Sequence, residues 1–444
     1  MIEPGRRRVG WLLAGGLAVA WTALATHNLR PSWAPPPDVP APRAPTSREP
    51  PPGAVVAADG ADLARLLGDP SGPAEVWLAP REYRGDFVIR RPLALRGAGR
   101  SELVGSGGGT VLTIEADDVT VEELVLRDSG RRHTLEDSAV KATGRGVTLR
   151  ALRTENTLFG VQLAGCRSCL VEDVLVDGTA GDELRGDGVK IWESDDSVVR
   201  RVRVERARDV VVWYSRRVRL EHLVVRHSRY GAHFMHAEDS STHHGRYLDN
   251  DVGIFVMYSS RVVAEGNVLA GARGSAGMGF GFKESETVDL HGNWVVANTT
   301  GIYLDNTPRS PGATVRFERN LFALNDVALR THGANRGIDF ADNVLQGNNV
   351  AGEVDGGGDM LALRFAGNRW SDYAGYDLDR DGRGDVPYEV KRLSGELTDA
   401  RPVLRYFRGT VAMGLIDAIA EAVPTFSQRK LLVDLTPSFV ASGP

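Results

Sequence analysis

Four short stretches decide the fold: VKIWESDD at 189–196, VVVWYSRR at 210–217, AHFMHAED at 232–239 and IFVMYSSR at 254–261. FGFKESET at 280–287 and IYLDNTPR at 302–309 continue the series, and weaker copies open at 161, 327 and 350. The starts recur at intervals of about 22 residues, a period that marks a solenoid. The third residue of each copy is always apolar: Leu163, Ile191, Val212, Phe234, Val256, Phe282, Leu304 and Leu329. Period-two alternation places that residue inside and its neighbours outside. A lone short strand cannot bury its inner face, but one coil stacked on the next can. The pattern predicts an all-β parallel β-helix of roughly ten coils. Second strands carry asparagines at matching places (Asn267, Asn293, Asn320, Asn343), which predicts an amide ladder from coil to coil.

The rest of the chain divides around this array. Three arginines precede an uncharged run over 9–25 that ends in an A-x-A pattern. Residues 1–29 therefore read as a signal peptide or an N-terminal membrane anchor, which places the rest in the periplasm. Residues 30–53 are a proline-rich, extended spacer. Residues 54–110 form an N-terminal cap, with a short helix over 60–69, and the first coils. The solenoid runs over 111–370, an acidic loop over 371–392, and an amphipathic docking helix and tail over 393–444. In that helix Leu404, Phe407, Val411, Leu415, Ile419 and Val423 recur at three- and four-residue steps. The net charge of −5 over 444 residues gives no whole-protein case for nucleic-acid binding.

Alternation also predicts outward ladders on the repeat strands. One residue beyond the inner position come Trp192, Trp213, Met235, Met257, Lys283 and Asp305. One residue before it come Lys190, Val211, His233, Phe255 and Tyr303; two beyond come Glu193, Tyr214, His236, Tyr258, Glu284 and Asn306. A contiguous apolar strip of this kind marks a binding face. Trp192, Trp213, Phe255, Tyr258, Tyr303 and Lys283 are its candidate partner contacts, with Phe407, Leu415 and Ile419 on the tail helix. His233, Met235, His236 and Met257 bring imidazole and thioether donors to adjacent coils, a set suited to copper(I); scattered surface histidines are the plainer alternative. Catalysis would recruit Asp182, Glu183, Asp187, Lys283, Glu284 or Asp305, as in a polysaccharide lyase, epimerase or hydrolase. Cys166 and Cys169 read as a tight disulfide, a thiol pair, or one turn residue beside one core residue.

The stretch DLDRDGRGD at 377–385 places Asp377, Asp379, Asp381, the Arg383 carbonyl and Asp385 at positions 1, 3, 5, 7 and 9 of a calcium-loop pattern. Tyr388 stands where that pattern needs a bidentate glutamate, and Arg380 and Arg383 are the alternative source of positive charge.

GNRWSDYAGYDLDRDGRGDVPY at 367–388 resembles the C-terminal segment of the NosD family, periplasmic maturation factors for nitrous oxide reductase. RYGAHFMHAED (229–239), GIFVMYSSR (253–261), FGFKES (280–285) and TTGIYLDN (299–306) are similar to that family's successive coils, and together the resemblance covers roughly 55–425. It implies a right-handed parallel β-helix and an assembly role without catalysis. The implied partners are an ABC transporter (NosY and NosF), a copper chaperone and apo nitrous oxide reductase, with transient copper; a structural calcium is expected from the acidic loop's own spacing. His236-Ala237 departs from the Tyr-Ser common in the family.

Overall fold

In the computed structural model, each coil contributes one strand to a twelve-stranded parallel sheet, from Phe87–Ile89 to Val350–Asp355. The structure describes residues 36–46, 48–178, 185–391, 397, 401–407, 410–423 and 430–439. Twelve strands among the described residues slightly exceed the roughly ten expected. The early ones, such as Leu112–Ile114 and Ser138–Ala142, carry no aromatic opening by which to be counted. Pairing is parallel and in register, for example Ile191↔Val212 and Phe234↔Val256. All eight predicted inner residues are buried.

The remaining strands form one sheet folded into two faces by a left-handed residue in each coil. Glu123, Ala151, Asp173, Arg201, His222 and His244 fill that bend, with φ between 49° and 62°. Such φ values cost energy for residues other than glycine, and here the neighbouring coil's main chain over-determines them.

The asparagine ladder runs further than the repeat suggested. Asn267, Asn293, Asn320 and Asn343 each donate Nδ2 to the Oδ1 of the next coil's asparagine at 2.9–3.0 Å, and Asn368 continues the series. Asp434 ends it, accepting from Asn368 N and Nδ2 and from Trp370 Nε1. A carboxylate suits a terminus because no later coil requires a donor. A second ladder joins Asn298, Asn325 and Asn348.

Both solenoid ends are covered, as exposed sheet edges require. Helix Gly60–Gly68, capped by Asp59, buries Leu63, Leu66 and Leu67 over the first coils. At the far end Lys430–Asp434 pairs antiparallel with Tyr388–Lys391 and in parallel at Phe365. An inner aromatic stack of Phe317, Phe340, Phe365, Trp370 and Tyr388 runs out to this cap.

The single tail helix expected over 402–423 is two pieces, a 3₁₀ turn Pro402–Phe407 and an α-helix Val411–Ala422 capped by Thr410. Its apolar stripe faces outward: Phe407, Val411, Leu415 and Ile419 are exposed, while Met413 and Ala420 are buried. Among the described residues no helix is long and apolar enough to cross a membrane. The apolar run over 9–25, with Asp182 and Glu183, lies outside the described residues.

Candidate functional site

The outward side of the twelve-stranded sheet carries the predicted ladders. Trp192, Trp213, Met235, Met257, Lys283 and Asp305 stand in register on successive strands. Each strand then ends in a left-handed corner residue: Glu193, Tyr214, His236, Tyr258, Glu284 or Asn306, with φ between 45° and 52°. The strand containing His233 and Met235 stops at Met235, so His236 belongs to the corner and not to the strand alternation.

At that corner the rings form a continuous stack. Trp213 lies 5.6 Å from Tyr214, Tyr214 lies 4.8 Å from His236 at 6°, and His236 lies 5.1 Å from Tyr258 at 16°. Tyr214 is half exposed and Trp192 is also exposed. Trp192, Trp213, Tyr214, Met235, His236, Met257 and Tyr258 thus form one soft, aromatic surface across four coils. Aromatic and thioether groups supply contact area with little polar desolvation.

The inner outward row is different, because it points away from the core and is still buried. Lys190, Val211, His233 and Phe255 are each less than 9% exposed. Lys190 pairs with Glu136 and its Nζ sits 5.5 Å over the Trp213 ring. Phe255 lies across Gly281, where an added Cβ would meet its ring at 2.4 Å, so the next coil needs glycine there. Tyr303, two coils from Phe255, is half-buried.

His233 packs edge-on against Tyr230 and Phe255, and its Nδ1 lies 3.5 Å from Asp209 Oδ2. Nε2 is buried without a partner, and Nδ1 has only this long Asp209 contact. That is chemically compatible with a donor to a soft metal, with Met235 and Met257 paired alongside in register. His236 is carried by the corner stack, so the two histidines occupy different parts of the coil.

Of the groups weighed for catalysis, Asp187, Lys283 and Asp305 are engaged in ion pairs, and Asp209 beside them is engaged too. Asp187 is held by Arg208 at 2.8 and 2.9 Å, and Asp209 by Arg229, whose Nε lies at 2.9 Å. Burial pushes the Asp187 carboxyl above its ordinary range. Burial also acts on Asp209, but the His233 imidazole and Arg229 guanidinium outweigh it and hold that carboxyl low. Lys283 pairs with Asp305 at 3.3 Å, which raises its pKa and keeps it protonated, the wrong state for a base.

The cysteines are unbridged and buried. Their Sγ atoms lie 3.2 Å from the Ala142 carbonyl and 3.3 Å from the Gly144 carbonyl. Their amides donate to Ser194 and Ser197, so both thiols sit where the next coil carries serine.

In the acidic loop, ligand atoms of Asp377, Asp379 and Asp381 lie within 4.8 Å of one another. Asp377 accepts from the amides of Arg380 and Gly382, Asp381 from that of Arg383, and Asp385 from that of Leu378. Among the described residues neither arginine forms an ion pair with this cluster. Tyr388 is turned into the solenoid end, donating to Asp372 at 2.9 Å and stacking on Trp370 at 4.3 Å. The twelfth position of the calcium pattern is therefore a core residue here.

A family model described as periplasmic copper-binding protein (NosD) matches residues 172–375. A Pseudomonas aeruginosa protein named probable ABC transporter binding protein NosD is 30% identical over 378 residues, which span 78% of this chain and 84% of that protein. A Stutzerimonas stutzeri protein of the same name is 26% identical over 385 residues, 80% of this chain and 84% of that protein. Among solved structures, the A-module of an Azotobacter vinelandii mannuronan C-5 epimerase is similar with a TM-score of 0.51 at 14% identity, over 72% of this chain and 97% of that one. At that identity the likeness is one of fold.

Proposed function

Because this chain belongs to the NosD family, a periplasmic protein family, we propose that it is an assembly factor for nitrous oxide reductase that works by binding partners. The observation that carries this reading is the half-exposed corner stack of Trp213, Tyr214, His236 and Tyr258, flanked by Met235 and Met257. Such a surface suits docking of a protein partner, here a copper chaperone or the apo-reductase. Copper is the cargo. His233, Met235 and Met257 are the soft donors beside that surface; His236 contributes to the stack first.

The outward stripe of Phe407, Leu415 and Ile419 is the second contact, to the membrane subunit of an ABC transporter (NosY), with NosF as its ATPase. Calcium in the loop of Asp377, Asp379, Asp381, the Arg383 carbonyl and Asp385 would neutralise the cluster and stiffen the C-terminal cap. The polysaccharide-enzyme alternative finds less support, because Asp187, Lys283 and Asp305 are held in ion pairs.

The test is genetic and chemical. Deleting the gene should leave nitrous oxide reductase without its copper and stop nitrous oxide reduction. A Trp213→Ala/Tyr214→Ala chain should fail to restore either, although it folds and is exported. Intact reduction and copper content in the deletion strain would reject the proposal.

A further inference from the structure

Residues 38–46, DVPAPRAPT, read from sequence as part of a free spacer, lie on the solenoid. Val39, Pro42 and Pro45 are half-buried while the residues between them are exposed. That period of three is the period of a polyproline II helix lying with one side down.

The contacts agree. The Thr46 amide donates to Glu123 and the Arg43 amide to Asp173 Oδ1 at 3.1 Å, while Arg43 Nη2 lies 3.4 Å from Glu123 Oε1. Both carboxylates are left-handed bend residues with little exposure. Further along, the charge of Asp38 acts on Arg246, countering the burial that lowers that guanidinium's pKa. Glu123 and Arg246 are five coils apart along the bend, through Ala151, Asp173, Arg201, His222 and His244. Five spacings of about 4.8 Å make about 24 Å. Eight polyproline steps of about 3.1 Å make about 25 Å. The segment therefore matches the bend in length as well as in contacts.

We propose that the bend between the two faces is a docking groove for this chain's own segment 38–46, a polyproline strap. The strap carries the chain from the Glu123 coil at Thr46 to the Arg246 coil at Asp38, five coils toward the C-terminal end of the solenoid. From Ala25 to Asp38 a chain spans at most about 45 Å, whereas from Ala25 to Ala54 it would span about 100 Å. The strap thus halves the reach of an uncleaved membrane anchor. The strap contacts do not depend on the assembly-factor reading, and their test is separate from it.

The experiment is hydrogen exchange on the full chain. The Arg43 and Thr46 amides should exchange about 10- to 100-fold more slowly than in a free peptide of residues 36–50, since each donates to a poorly exposed carboxylate. Arg43→Glu sets like charge against Glu123 and Asp173 and should abolish that protection without lowering the melting temperature, because the change is on the strap side. Nitroxides at Asp38→Cys and Arg319→Cys should give one narrow separation of about 15–25 Å, three coil spacings plus label length. The same pair in the Arg43→Glu chain should give a broad distribution. Peptide-like exchange at residues 43 and 46, or a broad distribution in the otherwise unaltered chain, would overturn the strap.

Discussion

Replacing Asn320 with alanine tests the ladder that sets the solenoid's pitch. Asn320 is 1% exposed. Its Nδ2 donates to Asn343 Oδ1 at 3.0 Å and to the Leu290 carbonyl at 2.9 Å. Its Oδ1 accepts from Asn293 N and Nδ2, both at 2.9 Å. Alanine removes all four bonds. Asn343 Oδ1 keeps the Asn320 amide and Asn293 Nδ2 keeps the Ala264 carbonyl. The Asn293 amide and the Leu290 carbonyl lose these partners inside the solenoid. Each of these two buried orphans costs about 1–3 kcal/mol, and the small void adds about 1 kcal/mol, so the expected loss is about 3–7 kcal/mol. Asn320→Asp should lose at least as much at pH 7. It retains the acceptor but places a carboxylate against Asn343 Oδ1 and the Leu290 carbonyl. Asp434→Asn, at the ladder's end, should cost less, about 1–2 kcal/mol, since Oδ1 of the amide can still accept from Asn368 and Trp370 while only the Thr436 amide loses its acceptor. Urea unfolding monitored by circular dichroism, with the slope held constant, measures all three. A loss below about 1 kcal/mol for Asn320→Ala, or an aspartate at 320 as stable as asparagine, would refute the reasoning.

Trp213→Ala/Tyr214→Ala should weaken binding of the chaperone or apo-reductase by about 10- to 100-fold in calorimetry, the scale of an aromatic hot spot; unchanged affinity would remove the corner stack from the interface. Leu415→Asp should reduce co-purification with the transporter's membrane subunit by at least about tenfold without altering thermal unfolding, because Leu415 is exposed. Calcium at about 100 times its dissociation constant should stabilise the fold by about 2.7 kcal/mol, chelation should lower the melting temperature, and Asp379→Ala should abolish the effect; a melt indifferent to chelation would leave the loop without a cation. Burial raises the Glu172 pKa, but hydrogen bonds from Arg150, Arg200 and Arg201 outweigh it, so the folded value lies below the ordinary 4.5. The stability it contributes is therefore full above that value and is lost as pH falls through the folded one. Acid denaturation of Glu172→Gln should accordingly start from a less stable protein and fall less steeply below about pH 4.5, whereas an identical acid limb would show that the arginine cluster adds nothing.

What could be read from residues 189–309 alone was whatever repeats. One inner side chain per coil meets its counterpart about 22 residues away, so Phe234, Val256 and Phe282 announce the core through their spacing. The asparagine ladder was legible for the same reason, and so was the outward row from Trp192 to Asp305. Features that break the period were not legible. His233 and Lys190 point outward by alternation, yet neighbours from other coils, among them Phe255 and Glu136, bury them. His236 follows Met235 in sequence but turns at a left-handed corner, where it joins Tyr214 and Tyr258. Tyr388 stands at the twelfth place of a calcium-type pattern, but stacking on Trp370 draws it into the cap. The tail helix was expected from its apolar stripe, and only the folded chain turned that stripe outward. The prolines of 36–50 predicted an extended segment. Its track along Glu123, Asp173 and Arg246 rests on contacts 77 to more than 200 residues apart, and contacts that occur once leave no period to read.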